Sequence, residues 1–138
     1  MPKQQVFLCG VPYRMTSRGP LFCLSSNSNG ARWGFHTTPD DPSGVERLLH
    51  AFAVDLGLGC SLRFADPIDH FPTSRNEEPG RIQAYLLRVD VEYAIWGRSE
   101  EFRRRWCLSD EAQLRVRRKP IQRLIDKALR KLEKANSH

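Results

Sequence analysis

Several signatures of common protein classes are missing from this 138-residue sequence, and each absence narrows what the chain does. No apolar run is long enough to cross a bilayer, and "MPKQQVFLCG" has no signal-peptide pattern, so a soluble, cytoplasmic protein with no membrane partner is expected. No Cys-x-x-Cys pair occurs. Cys9, Cys23, Cys60 and Cys107 are scattered, without the clustered spacing of a zinc site or a disulfide framework. Three of them lie in apolar surroundings ("VFLCGV", "LFCLS", "RWCLS"), which points to buried free thiols in a reducing compartment. There is no His-x-x-x-His, no Ser-His-Asp order and no glycine-rich phosphate loop, so those chemistries have no support. His36, His50 and His70 are therefore read as structural. No internal repeat is present, and the only biased tract is the Ser/Asn turn at 26–30.

What is present is ordinary for a soluble globular protein: 40% hydrophobic and 28% charged residues, in a length that fits a single domain over 1–138. The net charge of +6 is unevenly placed. Residues 101–138 hold 12 Lys/Arg against 5 Asp/Glu, whereas residues 1–100 hold 10 against 11. Basicity confined to the C-terminal part fits either a solvated helix face or a surface for nucleic acid or polyphosphate.

The N-terminal third reads as β: "QQVFLCGVPYR", a turn at Ser17-Arg18-Gly19-Pro20, "LFCLSS" closing a hairpin, and "ARWGF" as a third short strand or extended piece. The loop "HTTPDDPSG" leads into a helix in which Val45, Leu48, Leu49, Phe52 and Leu56 share one face. Ser43 and Glu46 have capping-box spacing, and Gly57 stands where a C-terminal glycine ends a helix. "CSLRFADPIDHF" reads as one strand ended or bulged near Pro67, and "RIQAYLLRVDV" as the longest strand. "EYAIWGRSEEFRRR" has no clear assignment. "RRWCLS" suggests a short last strand, with Ser109 capping a short helix. From Pro120 an amphipathic helix over 120–134 carries Ile121, Leu124, Ile125, Ala128, Leu129 and Leu132 on one stripe. The order β, β, β, α, β, β, β, α, α predicts an α/β sandwich around a mixed sheet.

The strand ending in "VPYR", the "WGF" before the loop, the loop-helix of 36–58 and the late "RRRWCLSDEA…KP" with its terminal helix together resemble the Nudix hydrolase superfamily. The resemblance spans nearly the whole chain and implies a Nudix-like α/β/α sandwich with a mixed central β-sheet. It also implies a loop-helix box, G-x5-E-x7-R-E-U-x-E-E-x-G-U with U apolar, which binds Mg²⁺ or Mn²⁺ to hydrolyse nucleoside diphosphate derivatives. Laid on this chain, the closing Gly-U falls on Gly57-Leu58 and the apolar position on Phe52. The opening glycine falls on His36, the first glutamate on Pro42, the arginine on His50, and the remaining glutamates on Ala51, Val54 and Asp55. Only Asp55 keeps a carboxylate, so the box is degenerate.

Positions 51, 54 and 55 lie on one helix face, where three carboxylates would hold a hard cation; Ala51 and Val54 offer no oxygen. A shifted cation would need Asp55 with the loop acids Asp40 and Asp41. Glu46, nine residues before Asp55, lies about 13 Å away along the helix axis and on another side. Asp55 is thus the one candidate catalytic residue, and Asp40, Asp41 and Asp55 are the candidate metal ligands. Tyr13 and Arg14 end the first strand as in family members that bind dinucleoside or inositol polyphosphates. With Arg32, Arg104 and Lys119 they form the candidate substrate-binding set, since guanidinium groups pair with phosphate oxygens. Arg103, Arg104 and Arg105 would alternate in direction on a strand, so only part of that run can face one pocket.

Three functions follow from these residues. The first is a Nudix-fold protein with an eroded metal box, weak or inactive as an enzyme, that binds a nucleotide or polyphosphate. The second is an active, divergent pyrophosphohydrolase on nucleoside diphosphate derivatives or dinucleoside polyphosphates. The third is an RNA-binding or ribonucleoprotein component using the basic C-terminal segment.

Overall fold

Hydrophobic alternation along the strands and a 3.6-residue period in the helices sort the apolar side chains onto the two faces of one sheet. The computed structural model describes residues 5–27, 32–75 and 78–136. Among the described residues are seven strands: β1 (Gln5–Thr16), β2 (Gly19–Asn27), β3 (Thr37–Pro39), β4 (Leu58–Leu62), β5 (Asp69–Arg75), β6 (Glu78–Glu92) and β7 (Phe102–Leu108). Three helices join them: α1 (Gly44–Leu56), α2 (Ser109–Arg115) and α3 (Lys119–Asn136).

β1 and β6 are the central strands and run parallel, from Gln5↔Gly80 to Tyr13↔Arg88; every other pairing is antiparallel. The main path is β4-β6-β1-β2-β7. The far edge of β6 is shared between β5 and β4, and one edge of β1 is shared between β2 and β3. β2 pairs with β1 only at Tyr13 to Thr16, after which the strands splay and β3 takes over at Phe7 to Cys9. The segment before β3 fills the splayed cleft, held by Gly34 on Ser25 and by the Gly10 N–H on the His36 carbonyl.

Each face of the sheet carries a core. Leu48, Phe52 and Leu56 of α1 pack on Leu8, Cys23, Leu58 and Leu87 on one side. Ile121, Leu124, Ile125, Ala128 and Leu132 of α3, with Ala112 of α2, pack on Val11, Phe22, Leu24 and Leu86 on the other. The result is a helix, sheet, helix sandwich. Each buried Leu or Phe contributes roughly 1.5–3 kcal/mol relative to exposure, so these stripes account for the layered arrangement. Gly10 permits it locally: a Cβ there would lie 2.6 Å from the Phe52 ring and 2.5 Å from Leu87.

Several local expectations are revised. Of "ARWGF", Ala31 lies outside the described residues, and residues 32–35 have no strand pairing beyond the single bridge at Gly34; the strand begins at Thr37, where β1 is open to pairing. Part of the Ser/Asn turn lies outside the described residues. "CSLRFADPIDHF" is two strands, β4 and β5, separated around Pro67, with a register shift between Gly59 and Cys60. The capping box does not form. Ser43 has αR backbone angles and makes no side-chain cap, and its N–H, which Glu46 would accept from in a capping box, donates instead to Asp41 Oδ1 at 2.9 Å. Gly57 does end α1 in the left-handed region, φ 66°. Ser109 is the first residue of α2 and Leu108 its N-cap, one position earlier than expected. None of the four cysteines forms a disulfide, and Cys60 is only partly buried. Burial pushes the Cys23 and Cys60 thiols up to about 12. Among the described residues no helix is long and apolar enough to cross a membrane.

Candidate functional site

The α1 face is organised around Asp55. A carboxylate near the end of a helix meets the negative end of the helix dipole, so it needs hydrogen-bonding or cationic partners. Asp55 has two partners. His36 Nε2 lies 2.7 Å from Asp55 Oδ2, and Arg98 Nη1 donates to Asp55 Oδ1 at 2.7 Å. The His36 and Asp55 side chains are only 16% and 14% exposed, so that contact is shielded from solvent, whereas Arg98 reaches Asp55 from a more exposed position. His36 is wedged edge-on between the Phe52 and Phe102 rings, and Arg98 lies 4.8 Å over Phe102. Arg98 also binds Glu101; that hydrogen bond, and then the one to Asp55, holds its guanidinium above its ordinary value. Trp96 Nε1 donates to the Asp55 backbone carbonyl at 3.0 Å. The unassigned stretch before β7 is therefore a cover over the end of α1.

Arg104 fastens the same corner. It projects from β7 toward α1, donating to the carbonyls of Leu56 at 2.6 Å, Gly57 at 3.2 Å and Tyr93 at 2.6 Å, with the Trp96 ring 3.9 Å away. The Leu56 and Gly57 carbonyls are orphans of the α1 C-terminus and the Tyr93 carbonyl follows β6, so one guanidinium ties the helix end to the segment after that strand. Arg103 and Arg105, on either side, are exposed, as the alternation of a strand requires.

The other candidate residues have separate surroundings. Tyr13 is 3% exposed in the α3-side core, and burial pushes its phenol up. Arg14 is exposed, 4.3 Å over Trp106 and paired with Glu92 at 3.5 Å. Asp40 is exposed, and its N–H donates to the Val6 carbonyl. Asp41 binds Arg47, whose hydrogen bond holds its carboxyl below the usual range. Lys119 is exposed at the start of α3. His50 is exposed on α1, and His70 contacts Arg81 at the surface.

Arg32 is different, because it lines two adjoining cavities at the splayed end of β1 and β2. The larger, about 620 Å³, is bounded by Ser25, Ser26 and Asn27 of β2, the 32–37 segment, Phe102, Arg118 and Ile121. The smaller, about 430 Å³, is lined by Arg32, Trp33, Arg115, Arg117 and Arg118. Both fall within the range of small-ligand sites.

Neither protein-family models nor curated proteins give a match to this chain. Solved structures do. The C. elegans Ap4A hydrolase is similar with a TM-score of 0.74 at 12% identity, covering 94% of this chain and 99% of that one. The NUDIX domain of Shewanella oneidensis NrtR, complexed with ADP ribose, has a TM-score of 0.71 at 12% identity, covering 96% and 90%. The E. coli dihydroneopterin triphosphate pyrophosphohydrolase has a TM-score of 0.66 at 8% identity, covering 91% and 95%. The chain has the Nudix hydrolase fold.

A Nudix fold raises the question of a divalent cation, and the side chains at Asp55 do not fit one. Both Asp55 oxygens already face a guanidinium or an imidazole, and a cation beside Arg98 would meet its positive charge. Ala51 and Val54 add no ligand, and Val54 is 44% exposed. Among the described residues no group of three His, Cys, Asp or Glu side chains is arranged to hold a metal ion. Asp40, Asp41 and Asp55 do not form such a group. Sequence reasoning missed Arg98, which is 43 positions from Asp55 and belongs to no periodic pattern.

Proposed function

We propose that this Nudix-fold protein binds a nucleotide or another phosphorylated small molecule, and that metal-dependent pyrophosphate hydrolysis through α1 is lost or much weakened. The observation that carries the reading is the engagement of both Asp55 oxygens by His36 and Arg98. Mg²⁺ needs hard oxygen ligands in near-octahedral array. Here it would have to displace two donors to gain one carboxylate. Without the cation, no Lewis acid balances charge at the phosphates, which removes several kcal/mol of transition-state stabilisation.

The binding half of the reading draws on the cavities beside Arg32 and on the fold's company. A structural neighbour is an Ap4A hydrolase and another is a domain complexed with ADP ribose, so nucleotide derivatives are the ligand class to test. Calorimetric titration of the protein with ADP-ribose, with Mn²⁺ and then with EDTA, should give binding that does not depend on the cation. Product analysis should show no Mn²⁺-dependent cleavage of ADP-ribose or Ap4A above background. Hydrolysis that requires Mn²⁺ and disappears in Asp55→Asn would restore the enzyme reading.

A further inference from the structure

We infer that the elbow between α2 and α3 is a metal-free phosphate clamp, in which Arg117 and Arg118, with Arg32 opposite, hold the phosphates of a nucleoside diphosphate whose base lies on Trp33. The inference rests on the proposed binding function and adds where the phosphates sit, which is at the elbow and not at α1.

The elbow is built rigidly. Val116 is 2% exposed, and its N–H donates to the Ala112 carbonyl at 3.1 Å. Gln122 Nε2 donates to the Val116 carbonyl at 3.0 Å, and Gln113 Nε2 returns across the joint to the Gln122 carbonyl at 2.8 Å. The Arg118 carbonyl accepts the N–H groups of Ile121 and Gln122, both at 3.1 Å. Backbone held this way fixes where Arg117 and Arg118 leave the chain, so binding has only their side chains left to order.

Their charges are also unmatched. Several arginines elsewhere meet carboxylates, Arg14 with Glu92, Arg47 with Asp41, Arg88 with Asp90 and Arg98 with Asp55, and others such as Arg103 and Arg130 have no ion pair among the described residues but line neither cavity beside Arg32. At the elbow Arg115 pairs with Glu111, but Arg32, Arg117 and Arg118 are exposed and have no ion pair among the described residues. Like charges around one concavity repel until an anion enters, and a phosphate offers oxygens that match the guanidinium fork. Arg32, Trp33 and Arg118 line both cavities, so an aromatic surface lies beside the cations. A base stacks on such a surface. Concavity favours a small ligand over RNA, since the exposed part of α3 mixes its basic residues with Asp126 and Glu133.

The test is titration with ADP, adenosine and inorganic pyrophosphate in EDTA, followed by calorimetry and by tryptophan fluorescence. ADP should bind and adenosine should bind far more weakly. Arg117→Gln and Arg118→Gln should each weaken ADP by about tenfold or more, since each removes a charge-assisted contact. Arg130→Gln, about 16 Å along α3 from Lys119, should not change ADP affinity. Circular dichroism and thermal melts of each variant separate lost binding from lost folding. ADP bound equally well by the Arg117→Gln/Arg118→Gln protein would overturn the elbow while leaving nucleotide binding intact. If ADP, ADP-ribose and pyrophosphate all fail to bind, the proposed function fails and the clamp with it. A single-stranded RNA that binds more tightly than ADP, with steep salt dependence and sensitivity to Arg130→Gln, would replace the clamp with an extended RNA surface.

Discussion

Two regions of this molecule treat positive charge in opposite ways. At the end of α1, Arg98 is turned inward on Asp55, whose other oxygen faces His36, and Arg104 is spent on backbone carbonyls. At the α2–α3 elbow, Arg32, Arg117 and Arg118 face cavities without an acidic partner among the described residues. The first arrangement is self-sufficient and holds a helix end to the cover above it. The second is incomplete until something anionic arrives. A charge cluster therefore means little as a count, and its partners decide whether it is part of the scaffold or open to a ligand.

The contrast can be broken most forcefully at Arg104. Arg104→Met removes a guanidinium that is 11% exposed and satisfies three carbonyls, and should cost about 3–4 kcal/mol of stability. Urea denaturation would show it as a lower midpoint at unchanged slope. A loss below about 1 kcal/mol would mean that Arg104 is not fastening the helix end.

A second experiment asks whether Arg98 stands where a cation would otherwise be attracted. Ala51→Glu with Val54→Glu restores carboxylates on the Asp55 face, yet Arg98 still opposes a divalent ion there. Adding Arg98→Gln to that pair should strengthen Mn²⁺ binding by about 100-fold, or about 2.7 kcal/mol. Calorimetry on the folded double and triple variants compares them directly. Equal affinities would remove the internal-cation account of Arg98.

The smallest effect is expected at the elbow. Arg117→Gln should change stability by less than about 0.5 kcal/mol, because it breaks no ion pair and relieves repulsion. Chemical denaturation in low salt measures this. A loss greater than about 1 kcal/mol would make Arg117 a part of the scaffold, like Arg104.

The features legible from the chain are the ones that repeat over a short distance. The stripe on 45–56 and the stripe on 121–132 marked α1 and α3, and the turn at Ser17-Arg18 marked the β1–β2 hairpin. Gly57 announced the end of α1 because left-handed backbone costs a glycine least. The box-like loop-helix also showed which position keeps a carboxylate. Local pattern failed where a segment's partner is distant. Irregular backbone at 32–36, the division into β4 and β5, and Ser43 without its cap depend on the splay of β1 from β2, the split edge of β6 and the N–H bond to Asp41.

Charge was the least legible of all. The sequence by itself determined how many arginines there are, that most of the basicity is C-terminal, and which helices have an apolar stripe to bury. Tertiary structure alone decided that Arg98 closes on Asp55 across 43 positions while Arg117 and Arg118 are left open. Hydrophobic periodicity is a property of neighbours in sequence, so it can be read along the chain. Electrostatic pairing falls off over a few ångströms in space, and only the packed sheet and helices bring those distances about.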